Sequence, residues 1–252
     1  MMNWRIMRFV IVGVVAFVVG LVTYLPASLV AGWVADDTPV HLQGVSGTLL
    51  DGQAAYASLP NGALNNVRWN VHPMAFLLGR VSATVRADSD LGHIEGQIHR
   101  SIFGRNTLDN VQGEATIGWL SGLAGYTFVP VSGRIGLNLD HVTFDDNLDV
   151  SALDGTIQLT NSRWELLNPP LKLGRFEAKL DRGDHGIQAR ILDSTGPLAL
   201  TGDVQLSDNR RYDLNVKLRA RAGADDRLKQ ILQQIGQPDS QGWYHIQERG
   251  SL

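Results

Sequence analysis

The chain has 252 residues, 22 Lys+Arg against 25 Asp+Glu, no cysteine, and a formal charge of −3. Without cysteine there are no disulfides, no thiol catalysis, no iron–sulfur cluster and no cysteine zinc site. The near-balanced charge excludes a general nucleic-acid binder, which would be clearly basic, and 44% hydrophobic residues exclude disorder.

The charge is unevenly placed. The 27 residues from Phe9 to Ala35 include no Asp, Glu, Lys, Arg or His. Their aliphatic core is long enough for a membrane-spanning helix, which needs roughly 20 residues. Arg5 and Arg8 precede the run and Asp36 and Asp37 follow it. The positive-inside rule then keeps residues 1–8 in the cytoplasm, makes 9–35 a single-pass anchor, and places 36–252 on the far side. Trp4, Tyr24 and Trp33 suit the two interfaces, and Pro26 ends the regular helix. A cleaved signal peptide would have a shorter apolar region, about 7–15 residues, and a small-x-small cleavage site. Neither is present, so the anchor is expected to remain. Beyond Arg5 and Arg8 the chain holds 20 basic and 25 acidic residues, or −5. Its contact with membrane lipids is therefore expected through the anchor.

After the anchor, apolar and polar residues alternate. The runs are 67–72, 81–87, 92–99, 113–118, 133–139, 155–160, 174–180, 187–191, 198–206 and 212–220. Such alternation marks strands with one wet face, as in antiparallel meanders. Turns are expected at Pro60-Asn61-Gly62, Asp145-Asp146-Asn147, Asn168-Pro169-Pro170, Asp181 to Asp184, Asp193 to Pro197 and Ser207-Asp208-Asn209. A loose repeat places a glycine at the start of a strand: Gly47, Gly113, Gly133, Gly155 and Gly202. Short apolar clusters at 74–78 and 117–123 carry weaker helix signals. A clear helix is expected from about Asp225 to Ile235. Leu228, Ile231, Leu232 and Ile235 form its apolar stripe, Asp225 caps it, and Gly236 and Pro238 end it. A short strand, 243–246, follows. The fold class is mainly β: one N-terminal transmembrane helix, a long twisted antiparallel sheet and one C-terminal amphipathic helix.

Catalytic patterns are missing. His93, Glu95, Gln97 and His99 share one strand face, yet residues six apart on a strand lie about 20 Å apart, too far to share one ion. Asp145, Asp146, Asn147 and Asp149 lack the central glycine and terminal glutamate of a calcium loop. There is no phosphate loop, dinucleotide fingerprint or nucleophile elbow. No enzyme activity, catalytic residue, metal, cofactor, small-molecule substrate or nucleic-acid partner is expected.

Several stretches resemble the type II secretion system protein N family, in the family's order. They are Leu25-Pro26-Ala27 after the span, then Gly47-Thr48-Leu49-Leu50-Asp51-Gly52. Trp69 follows with Pro73, then Leu77-Leu78-Gly79. The last are Gly236-Gln237-Pro238-Asp239, Gly242-Trp243-Tyr244 and Gly250-Ser251-Leu252. Leu50 stands where the family usually has Trp, so a smaller aromatic pocket is expected there. The resemblance implies an accessory, structural component of the inner membrane. Its machine exports folded proteins from the periplasm of Gram-negative bacteria across the outer membrane. It also implies other inner-membrane components as partners, with the secretin a further candidate. A second resemblance, to AsmA-like membrane-anchored proteins, leaves open a sheet that curls and holds or transfers lipid on its apolar face.

Overall fold

A computed structural model describes residue 20 and residues 23–29, 31–32, 39–89, 91–123, 125–126, 128–147, 149–209 and 211–251, excluding the side chains of Leu77 and Leu123. The expected span at 9–35 lies mostly outside these residues. Among the described residues no helix is long and apolar enough to cross a membrane.

The chain divides into two compact units, Met1–Ser89 and Asp90–Leu252. In the first, four antiparallel strands follow chain order: β1 (His41–Gly47), β2 (Asp51–Leu59), β3 (Gly62–Val71) and β4 (Arg80–Ser89). A 3-10 helix, Pro73–Leu78, connects β3 to β4. The second unit is a nine-strand antiparallel meander, again in chain order. It runs through β5 (Gly92–Ser101), β6 (Asn106–Thr116), β7 (Val131–Phe144), β8 (Val150–Trp164) and β9 (Leu171–Gly183). It continues with β10 (Gly186–Thr195), β11 (Leu198–Ser207), β12 (Arg211–Ala220) and β13 (Tyr244–Ser251).

Register converts the alternation into two faces. Ile135 pairs across to Leu159 and on to Phe176, and Leu137 pairs to Ile157 and Ala178. One residue along, Gly136 meets Gln158 and Glu177, while Asn138 meets Thr156 and Lys179. The polar face carries cross-strand ion pairs, including Arg134–Glu114, Lys179–Asp154 and Arg249–Asp213.

The expected helix forms as α2 (Asp226–Ile235), after a short α1 (Ile117–Leu123). Asp225 caps α2 by accepting the Arg227 backbone N–H. Leu228 and Leu232 are buried with Leu171, Leu198 and Ala224, against Trp164, Phe176, Leu218 and Tyr244. α2 thus covers part of its own unit's apolar face. Farther along, Ile94 and Ile98 on β5 remain 41% and 40% exposed.

Three expectations need correction. The repeat glycines do not start strands: Gly113, Gly133, Gly155 and Gly202 lie inside β6, β7, β8 and β11, and Gly47 ends β1. At Gly202 the reason is steric, since φ is +130° and a Cβ would sit 2.1 Å from the Asn215 carbonyl oxygen. The turn expected from Asp181 falls later, because β9 continues to Gly183 and Arg182 pairs with Asp208 across β10. Finally, the strands at 41–47 and 51–59 were not marked by alternation. The buried apolar positions of β2 include the alanines Ala54 and Ala57, so its apolar signal is weak.

Truncating Leu232 to Ala should cost about 2–4 kcal/mol, since it opens a cavity between helix and sheet. A urea unfolding midpoint unchanged from the parent would show that α2 does not hold the meander.

Candidate functional site

The first group of family-type residues gathers at one end of the first unit. Gly47, with φ +91°, turns the chain out of β1, and the Thr48 hydroxyl accepts the Asp51 N–H at 3.1 Å. Gly52 lies under the indole of Trp69, directly opposite on β3; a Cβ there would be 2.4 Å from the ring. The Trp69 indole N–H reaches over the turn to the Leu49 carbonyl at 3.1 Å. A half-buried indole N–H needs such a partner.

A segment in the C-terminal part of the uncharged run docks onto this turn. Pro26 forms an antiparallel bridge with Thr48, and the Leu49 N–H donates to the Leu25 carbonyl at 2.8 Å. Ala27 is only 1% exposed. Val71 of β3 donates to the Leu50 carbonyl, and Pro73 follows as the first residue of the 3-10 helix. Gly79 closes that helix in the left-handed region, its N–H donating to the Phe76 carbonyl. Leu25, Pro26, Thr48, Leu49, Gly52 and Trp69 therefore form one latch between the incoming chain and the sheet end, with Pro73 and Gly79 bounding the 3-10 helix that follows β3.

The second group, Gly236, Pro238, Asp239, Gly242 and Tyr244, leads the chain from α2 into β13. Asp239 organises it. Its carboxylate accepts the Gln241 and Trp243 backbone N–H groups, both at 2.9 Å, and lies 2.8 Å from His245 Nε2. His245 first, then the Trp243 N–H, hold this carboxyl down at about 2. Gly242 takes φ +82° so that the turn closes, and Tyr244 packs against the α2 core. Trp243 also receives Arg219, 4.4 Å above its ring.

Of the candidate ligand residues, His93 and Glu95 make no site. His99 and His141 bracket Asp109 at 3.3 and 2.6 Å across β5, β6 and β7, a pairing the sequence spacing could not show. Among the described residues no group of His, Cys, Asp or Glu is arranged to hold a metal ion. Asp145 builds a hairpin turn by accepting the Asn147 and Asp149 N–H groups. An open cleft of about 590 Å³ is lined by Phe103, Phe144, Asp145 and Arg182, among others.

The class is an antiparallel β-meander protein whose incoming N-terminal segment is latched to a sheet end. The sequence model of the family described as "Type II secretion system (T2SS), protein N" matches residues 38–247, and the chain belongs to that family. It is similar to the type II secretion system protein N of Aeromonas hydrophila, 26% identical over 243 residues, covering 94% of this chain and 95% of that protein. The protein of the same name from Vibrio cholerae serotype O1 is 22% identical over 253 residues, covering 92% and 93%. No solved structure gives a significant match.

Two outcomes test this geometry. Gly52→Ala should push the Trp69 ring aside and cost about 1–3 kcal/mol, as overpacking does; unchanged urea stability would remove the latch. In the pH dimension, Asp239 is depressed below its ordinary 3.8. Its contribution is therefore full above that ordinary value and is lost as pH falls through about 2. His245→Ala should raise the Asp239 midpoint toward 3.8 in a carboxyl-carbon NMR titration. A midpoint that stays near 2 would assign the shift to the backbone donors alone.

Proposed function

We propose that this chain is a single-pass inner-membrane component of the type II secretion system in a Gram-negative envelope. Residues 1–8 form the cytoplasmic tail, the anchor lies within 9–35, and the β-rich 36–252 lies in the periplasm. Its role is accessory and structural: the β-rich part engages other inner-membrane components, and the secretin, while folded proteins leave the periplasm through the outer membrane. The reading contains no catalytic step and no cofactor.

The observation that carries it is a combination. The family match covers residues 38–247, almost all of 36–252, and Leu25 and Pro26, inside the uncharged run, are bonded to the β1–β2 turn. A latch of this kind sets the distance between a bilayer and the first strands. The Asp- and Asn-rich turns and the paired ions of the polar face suit a solvated periplasmic surface rather than a lipid one.

Gentle detergent extraction followed by affinity isolation should recover this chain with other secretion components. Deleting it should reduce secretion of the machine's cargo several-fold. An intact secretome together with no such association would contradict the reading.

A second reading, lipid handling on the apolar face of the second unit, has one observation in its favour. α2 covers only part of that face, and Ile94 and Ile98 stay open to solvent. Native mass spectrometry of the gently extracted protein should then show a bound phospholipid, and a clean apo mass would eliminate it.

A further inference from the structure

The 3-10 helix between β3 and β4 exposes an apolar surface for which the fold of its own unit has no use. Met74 and Leu78 are each 72% exposed and Phe76 is 46% exposed. These are large side chains on a connection of six residues. Its neighbour Ala75 is buried, and Gly79 closes the helix with hydrogen bonds to its own carbonyls. The surface is therefore preformed, and keeping it in water is costly.

Its position identifies what covers it. β1 and β3 both run antiparallel to β2, so the end of β3 lies at the same end of the sheet as the β1–β2 turn. β3 lies one strand spacing, about 5 Å, from β2, and Val71 donates directly to Leu50 of that turn. The same turn holds Leu25 and Pro26. A span ending at Tyr24 therefore emerges beside the 3-10 helix. Tyr24 itself is 82% exposed, as an aromatic at a membrane–water interface would be. The opposite end of this unit, the Pro60–Asn61 turn, is polar. Arg80, exposed immediately after Gly79, supplies a cation at headgroup level.

We infer that the Pro73–Leu78 helix is a second membrane contact, in which Met74, Phe76 and Leu78 enter the headgroup region of the bilayer that the anchor spans. This rests on the anchored reading above and adds to it. One helix alone leaves the periplasmic part free to swing; a second contact beside it fixes the sheet's tilt, as interfacial apolar segments do.

The chain has no native cysteine, so single reporters can be placed at will. Full-length protein carrying Met74→Cys, Leu78→Cys, Asn61→Cys or Val15→Cys would be labelled with a polarity-sensitive fluorophore. Each would be reconstituted in phosphatidylethanolamine–phosphatidylglycerol vesicles containing lipids with a quencher near the acyl carbonyl. Labels at 74 and 78 should shift to the blue and lose most of their fluorescence, and the label at 61 should keep it. Quenching at 15 but not at 74 and 78 overturns the second contact and leaves the anchor standing. Quenching at 74 and 78 but not at 15 keeps the membrane contact and removes the anchor. A disulfide-linked Leu78→Cys dimer without lipid quenching assigns the surface to a second copy and overturns the inference.

Discussion

Cross-strand register is the constraint on which the rest of this structure depends. Within each unit, strands that follow one another in the chain are paired, so a slip of one residue would turn every apolar side chain to the wet face. The register of β7, β8 and β9 keeps Ile135, Leu159 and Phe176 in one row. With no disulfide available, that row, the α2 core and the ion pairs of the polar face hold the second unit. The same logic applies at the first unit's end, where Gly52 exists so that Trp69 can lie flat across the turn.

Much of the strand layout was legible because alternation is a local signal. The α2 helix was equally legible, since Asp225, the Leu228–Leu232 stripe and Gly236 lie within twelve residues. Strand lengths and bulges were not. Asn66, Asn110 and Asn161 adopt φ near +50° beside register shifts in β3, β6 and β8. An asparagine tolerates that conformation better than most residues. Each of these asparagines lies outside the alternating runs, so the runs themselves carry no sign of the bulge. The glycine repeat was read as strand starts because its constraint comes from the neighbouring strand, which a one-dimensional pattern does not contain.

The candidate site was legible as words but not as an assembly. Leu25-Pro26-Ala27, Gly47-Thr48-Leu49 and Trp69 are separated by about twenty residues each, and only the fold brings them into one latch. Trp69 stands in the sequence as a motif residue alone; in the fold its indole N–H donates to the Leu49 carbonyl. Asp239 similarly changes from a motif letter into the acceptor around which the approach to β13 is wound. Both groups of motif residues thus mark where the chain enters or leaves regular structure, and neither assembles chemistry.

The central claim is a periplasmic sheet held against the inner membrane by an N-terminal span. Single cysteines at Asn3 and Asn61, probed in cells with a permeabilised outer membrane by a membrane-impermeant maleimide, test it most directly. The account predicts labelling at 61 in these cells and labelling at 3 only after the inner membrane is broken. Labelling at 3 with protection at 61 would contradict it.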